Sequence, residues 1–347
     1  MAGKKPTTIT LMMPGLFPFS SDQWQALNQH LPALPALTDL LNQSRRTSPV
    51  HSDFETILGE KFGLTAGQRI PVAALTYWYD KGRPPARHVL RADPVFLKVD
   101  RDCLYVLGRH SLQVSLHEAN RLAALINDLY VDLPWSLEVG NAERWYICAD
   151  DDFNIETRCI TEVFGKNIET YLPEGQAKTT WRSVINEMQM LLHTSDVNQH
   201  REAKRQLPIN SLWLWGEGEL PSRPPQGSET VGHVYSNDAL CRGLAHWARC
   251  AGDALPEKAN EWIGQEKADR CLLVFDDLRI LAREDFQAWE QKLLEVDNNW
   301  LAPLRDAVNK QQLLLNIEID NGMKFTCAKT VWNTIWHKKR RWYEWFQ

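Results

Sequence analysis

Five short stretches carry residues that could do chemistry if a strand delivers them. They are Pro14-Gly15, Gly216-Glu217-Gly218, Ser236-Asn237-Asp238, Asp276-Asp277 and Asp320-Asn321-Gly322, and each follows an apolar run that reads as β-strand. In an open α/β sheet, ligands bind outside the carboxyl ends of the strands. Carboxylate and hydroxyl oxygens suit a hard divalent cation, so Asp276, Asp277 and Asp320 are the candidate metal ligands. Asp, Asn and Gly also end strands simply because they make turns and caps. Ser52, with Asp53 beside it, stands where an N-cap would open the helical stretch to Lys61.

Other motifs are weaker. The stretch "LHEAN" is half of a zincin motif and its second histidine is missing. His193 and His200 are two turns apart, but Thr194-Ser195-Asp196 reads as a helix break between them. No Walker A loop, G-x-G-x-x-G or G-x-S-x-G occurs. The tail "IWHKKRRWYEWF" mixes four consecutive basic residues with aromatics. It could stack on single-stranded nucleic acid, or dock its tryptophans while its basic residues stay solvated. The net charge of -5 favours docking and gives no electrostatic case for nucleic acid as a partner.

The elements that must position these residues fall into two textures. Residues 7–13 read as a first strand, with helical patterns around 21–30, 35–43 and 53–61. "VAALTYWY" (72–79) fits helix or strand equally. From 84 to 150 the pattern is β-β-α-β-β, with Ser115 and Glu118 in capping-box spacing at the helix start. Beyond it, helices and strands alternate. A long helix near 178–193 carries Trp181, Val184, Ile185, Met188, Leu191 and Leu192 on one face. The strand in "INSLWLWGEGELP" (209–221), then "GHVYS", "CLLVF" and "LLLNIEI", alternates with helices over 238–250 and 284–308. An aromatic helix closes the chain. Such alternation predicts an α/β fold with a largely parallel sheet covered by helices on both faces. The expected domains are a discontinuous core of 1–83 and 151–347 and a small inserted α+β domain of 84–150.

The 347 residues suffice for two domains. No run of apolar residues is long enough for a membrane span, and Pro14 breaks the first apolar run too early for a signal peptide. Seven cysteines, an odd number without a C-x-x-C pair, fit free thiols in a reducing cytoplasm. Fifteen tryptophans predict aromatic side chains at seams or grooves.

The order of these pieces resembles the archaeal-type cofactor-independent phosphoglycerate mutases of the alkaline phosphatase superfamily. "LPALPALTDLLNQSR", "HSDFETILGEKFGL", "INSLWLWGEGELP", "SNDALCRGLAHWARCAG" and "LLEVDNNWLAPL" each resemble a segment of that family. "LRADPVFLKVDRDCLYV" with "SLHEANRLAALIND" is similar to its inserted cap domain. The chain resembles more closely a bacterial family labelled phosphoglycerate mutase-like or regulatory protein of RpfE type. The resemblance implies two metal ions and a hydroxyl nucleophile that forms a phosphoenzyme. Ser52 falls on the nucleophile's place. Other positions depart from the family: Pro14 stands where it has a metal-binding aspartate, Asp320-Asn321 where it has Asp-His, and "FDDLRILARED" lacks its histidines. A catalytically degenerate, regulatory or ligand-binding protein is therefore expected. It would need no cofactor and would meet a small phosphorylated metabolite or a regulatory protein partner. Asp53, Asn210, Gly216, Gly218 and Asp238 are its candidate binding residues. The alternative is a metal-dependent phosphotransferase or phosphohydrolase. There Ser52 is the nucleophile, and manganese or another divalent ion sits at Asp276, Asp277 and Asp320.

Overall fold

The structure is a computed structural model that describes residues 7–18, 31–47, 54–64, 69–100, 103–107, 112–164, 166–222, 231–265, 268–320, 322–327 and 340–346. Its strands, in chain order, are β1 (Thr7–Met12), β2 (Ser44–Thr47), β3 (His88–Asp100), β4 (Cys103–Leu107), β5 (Trp135–Asn141), β6 (Arg144–Ala149), β7 (Ser211–Trp215), β8 (His233–Ser236), β9 (Ala251–Asp253), β10 (Arg270–Val274), β11 (Leu313–Glu318) and β12 (Lys324–Cys327). The chain divides into two compact units, Met1–Gln68 with Arg223–Gln347, and Arg69–Ser222.

The first unit holds a seven-stranded sheet in the order β2-β12-β11-β1-β10-β8-β9. β11, β1, β10, β8 and β9 run parallel, and β12 and β2 add antiparallel at one edge. Most buried positions of the central strands are apolar, as in Ile9, Leu11, Leu272, Leu273, Leu315 and Ile317, while threonines of β1 and Asn316 and Glu318 of β11 bring in polar side chains. Ile9, Leu11, Leu273, Leu315 and Ile317 enter one core, together with helices Pro35–Asn42 and Phe286–Val296. Glu318 alternates with Ile317 along β11 and so faces the other side, where Lys61 of helix Phe54–Lys61 meets it at 2.6 Å. The long helical pattern after β10 is broken in the structure. Asp277–Glu284 stands alone, and Phe286–Val296 passes through a π-helical turn, Asp297–Leu301, into Ala302–Asn309. That turn brings buried Asp297 against the N–H groups of Ala36 (3.1 Å) and Leu37 (2.8 Å). Asp297 thereby caps a helix that has no side-chain cap of its own.

The tryptophans mostly fill cores instead of grooves: Trp145, Trp247, Trp262, Trp289 and Trp342 are fully buried. Of the closing helix expected in the tail, residues 328–339 lie outside the described part, and the described end holds a short 3-10 turn, Trp342–Trp345. Its Trp342 donates to the Pro32 carbonyl at 3.0 Å, and Phe346 stacks on Phe17 with ring centres 5.1 Å apart. These rings pack inward, while residues 336–339 lie outside the described part of the chain.

The second unit is larger than the expected insert. It runs over 69–222 rather than 84–150, because β7 and helix Lys178–His193 share its core. The 13-residue β3 organises it, pairing antiparallel with β6, β4 and β7. β7 is thus not a strand of the large parallel sheet, where its alternation with helices would place it. Pairing partners are chosen by non-local fit, which an isolated apolar run does not encode. The capping box at Ser115 and Glu118 forms as expected. "VAALTYWY" is helical, within Val72–Lys81, and ends at left-handed Gly82.

Where β3, β6 and β7 meet, Arg91 and Asp93 form a buried bidentate pair at 2.7 and 2.8 Å. Trp215 donates its indole N–H to Asp93 at 2.8 Å, and the Arg91 guanidinium lies 4.9 Å from the Trp215 ring centre. Removing one partner strands a charge in the interior, at a cost of about 3–5 kcal/mol, whereas replacing both with apolar groups of similar volume is far milder. Asp93→Ala should therefore lower stability in urea unfolding by about that amount, and Arg91→Met with Asp93→Leu by less. A single substitution no worse than the double would contradict this reading.

Candidate functional site

Where β1 ends, the chain turns at Gly15, whose φ of +79° suits glycine. A side chain there would have no room: its Cβ would lie 2.5 Å from the Cα of Arg279. The Gly15 amide donates to Asp320 at 3.0 Å, just past β11, and its carbonyl accepts the Trp289 indole N–H at 2.9 Å. Asp320 is part-buried, and loss of water raises its pKa. The Gly15 N–H and the positive charges of Arg279 and Arg283 act the other way.

Arg279 extends the cluster. Its guanidinium lies 5.0 Å from the Phe54 ring centre and pairs with Glu55 at 2.6 Å. Phe54 and Glu55 open helix Phe54–Lys61, and Lys61 at its other end pairs with Glu318. One cation at each end thus ties this helix over the sheet. Helix N-terminal N–H groups and a guanidinium together suit a phosphate or carboxylate. Sequence reading missed Arg279, Glu55 and Lys61. A weak signal was available in "DDLRILAR", where Arg279 and Arg283 follow a strand end at helical spacing.

The predicted residues behave variously. Ser52 and Asp53 lie outside the described residues, immediately before this helix. Asp238 caps helix Ala239–Ala248, accepting from the Cys241 N–H at 2.9 Å. Asp276 precedes helix Asp277–Glu284 and acts electrostatically on buried Cys241. Asp277 is exposed, 3.9 Å from Lys292. Asp276, Asp277 and Asp320 are not gathered into one ligand set, and among the described residues no three His, Cys, Asp or Glu side chains form one. The described residues therefore do not fit the two metal ions that the resemblance implies.

Asn210, Gly216 and Gly218 belong to the second unit. Asn210 pairs with both backbone groups of Leu97, at 2.6 and 3.0 Å. The Gly216 carbonyl accepts from Ala73 N at 2.8 Å, and Gly216 and Gly218 both take positive φ. Between them, buried Glu217 bonds Thr157 through its amide and hydroxyl and pairs with Arg69 at 2.5 Å. These contacts are structural, and the Gly-Glu-Gly turn is a staple within the second unit.

Comparison with known proteins fits this fold. No family model matches the chain. It is 30% identical to the 2,3-bisphosphoglycerate-independent phosphoglycerate mutase of Methanosarcina barkeri over 139 residues, 39% of this chain and 35% of that protein. It is 31% identical to the enzyme of the same name from Methanosarcina mazei over 84 residues, 24% of this chain and 21% of that one. The chain aligns with about a third or less of the length of these relatives. Among solved structures it matches the PH0037 protein from Pyrococcus horikoshii with a TM-score of 0.57 at 14% identity, covering 97% of this chain and 91% of that one. The chain therefore shares the fold of that solved structure, here a mainly parallel sheet with helices in the first unit, and it is distantly similar in sequence to phosphoglycerate mutases. No helix among the described residues is long and apolar enough to cross a membrane.

The raised pKa of Asp320 gives a signed expectation. The folded state holds that proton more tightly than the unfolded chain. This contribution to stability is full below the ordinary aspartate value and is lost as pH rises through the folded one. Asp320→Asn keeps an acceptor for the Gly15 amide and removes the buried charge. Thermal unfolding should show it as stable as the parent, or more so, at pH 7, with any gain vanishing near pH 3.5. Marked destabilisation at pH 7 would show that the charge itself holds the turn.

Proposed function

We propose that the first unit binds a small phosphorylated metabolite at the carboxyl edge of its parallel sheet. It acts as a phosphoglycerate mutase-like binding protein of regulatory type and does not turn its ligand over. The observation that carries this reading is the Arg279 guanidinium, held between Glu55 of the helix start and the field of Asp320. A cation fixed in that position can neutralise a phosphate directly, by a bidentate, charge-assisted contact. An arriving phosphate would compete with Glu55 for Arg279. Ligand binding would then release one of the two ties on helix Phe54–Lys61, a change that a partner protein could read. Neither step needs a metal ion or a cofactor.

The alternative, metal-dependent phosphoryl transfer with Ser52 as nucleophile, draws support from the position of that helix. Ser52 precedes Phe54 by two residues in the sequence, and the helix that Phe54 opens is the one whose Glu55 pairs with Arg279. A single set of assays separates the two readings. The purified protein is given 3-phosphoglycerate with and without added manganese, its metal content is measured, and Ser52→Ala is run in parallel. The expected result is no mutase or phosphatase turnover above background. Stoichiometric metal, with turnover abolished by Ser52→Ala, would replace the binding reading by the enzymatic one.

A further inference from the structure

Beyond the phosphate reading, the second unit contains a cavity of its own, of about 210 Å³, between β7 and helix Lys178–His193. One wall is Ser211–Leu214 of β7. Both backbone groups of Leu97 turn toward the Asn210 side chain, on the β7 side of β3. With the register Val95↔Ser211, Asp93↔Trp213 and Arg91↔Trp215, this makes Ser211, Trp213 and Trp215 the residues bonded to β3. The amides and carbonyls of Leu212 and Leu214 then point the opposite way. Among the described residues no strand pairs with that edge and no backbone hydrogen bond meets it. Both leucines are buried and line the cavity. Buried amides and carbonyls are almost always paired, so this edge is set up for a partner that donates and accepts in alternation.

The other walls narrow the choice. Ile168, Leu172 and Ile185 make an apolar lining. Arg182 and Glu169 bring one charge of each sign to the same cavity. At about 210 Å³ the cavity lies below the roughly 300–1,000 Å³ of a drug-sized ligand site, a size that suits a molecule such as free leucine. We propose that this cavity binds a free apolar α-amino acid. Its main-chain groups add to the Leu212–Leu214 edge, its carboxylate faces Arg182, its ammonium faces Glu169, and its side chain enters the apolar lining. The second unit would then sense an amino acid independently of the phosphate site.

Calorimetric titration of the full chain tests this, with leucine and phenylalanine as probes and leucine amide and N-acetyl-leucine as analogues each lacking one charge. One leucine or phenylalanine should bind per chain. Each analogue should bind about tenfold more weakly or worse, as loss of one charged contact implies. Arg182→Gln should weaken leucine to a similar degree, and Leu172→Trp, which fills the cavity, should abolish its binding. Arg182 is half-exposed, and its pairing with Glu174 is a surface contact of little weight. Arg182→Gln therefore carries the test if Leu172→Trp does not fold. The proposal is overturned by the absence of saturable binding with both amino acids, by N-acetyl-leucine binding as tightly as leucine, or by leucine affinity unchanged in Arg182→Gln.

Discussion

The first unit depends on the turn at Gly15. Its amide holds Asp320 past β11, its carbonyl takes the Trp289 indole, and its missing side chain lets the Arg279 backbone approach. One glycine thus joins β1, β11 and the two helices that follow β10. Because the Arg279 backbone is fixed there, its guanidinium can reach Glu55 and hold the start of helix Phe54–Lys61. Any added methyl group would have to displace backbone rather than a flexible side-chain end.

Charge compensation at this edge is local. Asp320 is answered by a backbone N–H and by arginines, Glu318 by Lys61 and Lys324, and Glu55 by Arg279. Carboxylates that would compete for a metal ion are already engaged with fixed cations, and breaking such part-buried pairs costs more than breaking surface ones. The second unit follows the same rule. Arg91 with Asp93 and Arg144 with Asp80 form buried pairs around Tyr146 and Trp215. Among the described residues no strand pairs with the outer edge of β7, whose Leu212 and Leu214 line the cavity.

Much of this was legible in the sequence wherever the signal is local. The helix over 178–193, the capping box at Ser115 and the parallel sheet built on β1, β10 and β11 all follow from periodicity and caps. The neighbours of β7 were not legible. A five-residue strand of Ser followed by alternating Leu and Trp suits either sheet, and β3 claims it only through a register spanning more than a hundred residues. The turn residues were equally ambiguous. Asp238 and the Gly-Glu-Gly turn prove to cap and staple, the ordinary use of such residues. Arg279 left only a weak local signal for the converse reason: its role arises from Glu55, 224 positions earlier in the chain.

The central claim is that fixed cations, with no bound metal, hold a phosphorylated ligand over the first sheet. Calorimetric titration of the full chain with 3-phosphoglycerate in the presence of a strong chelator, repeated on Arg279→Gln, tests it most directly. Saturable binding in chelator that weakens at least about tenfold in the variant, as loss of a charge-assisted contact implies, is the result expected. Binding that appears only with manganese, and is unchanged in Arg279→Gln, would contradict it.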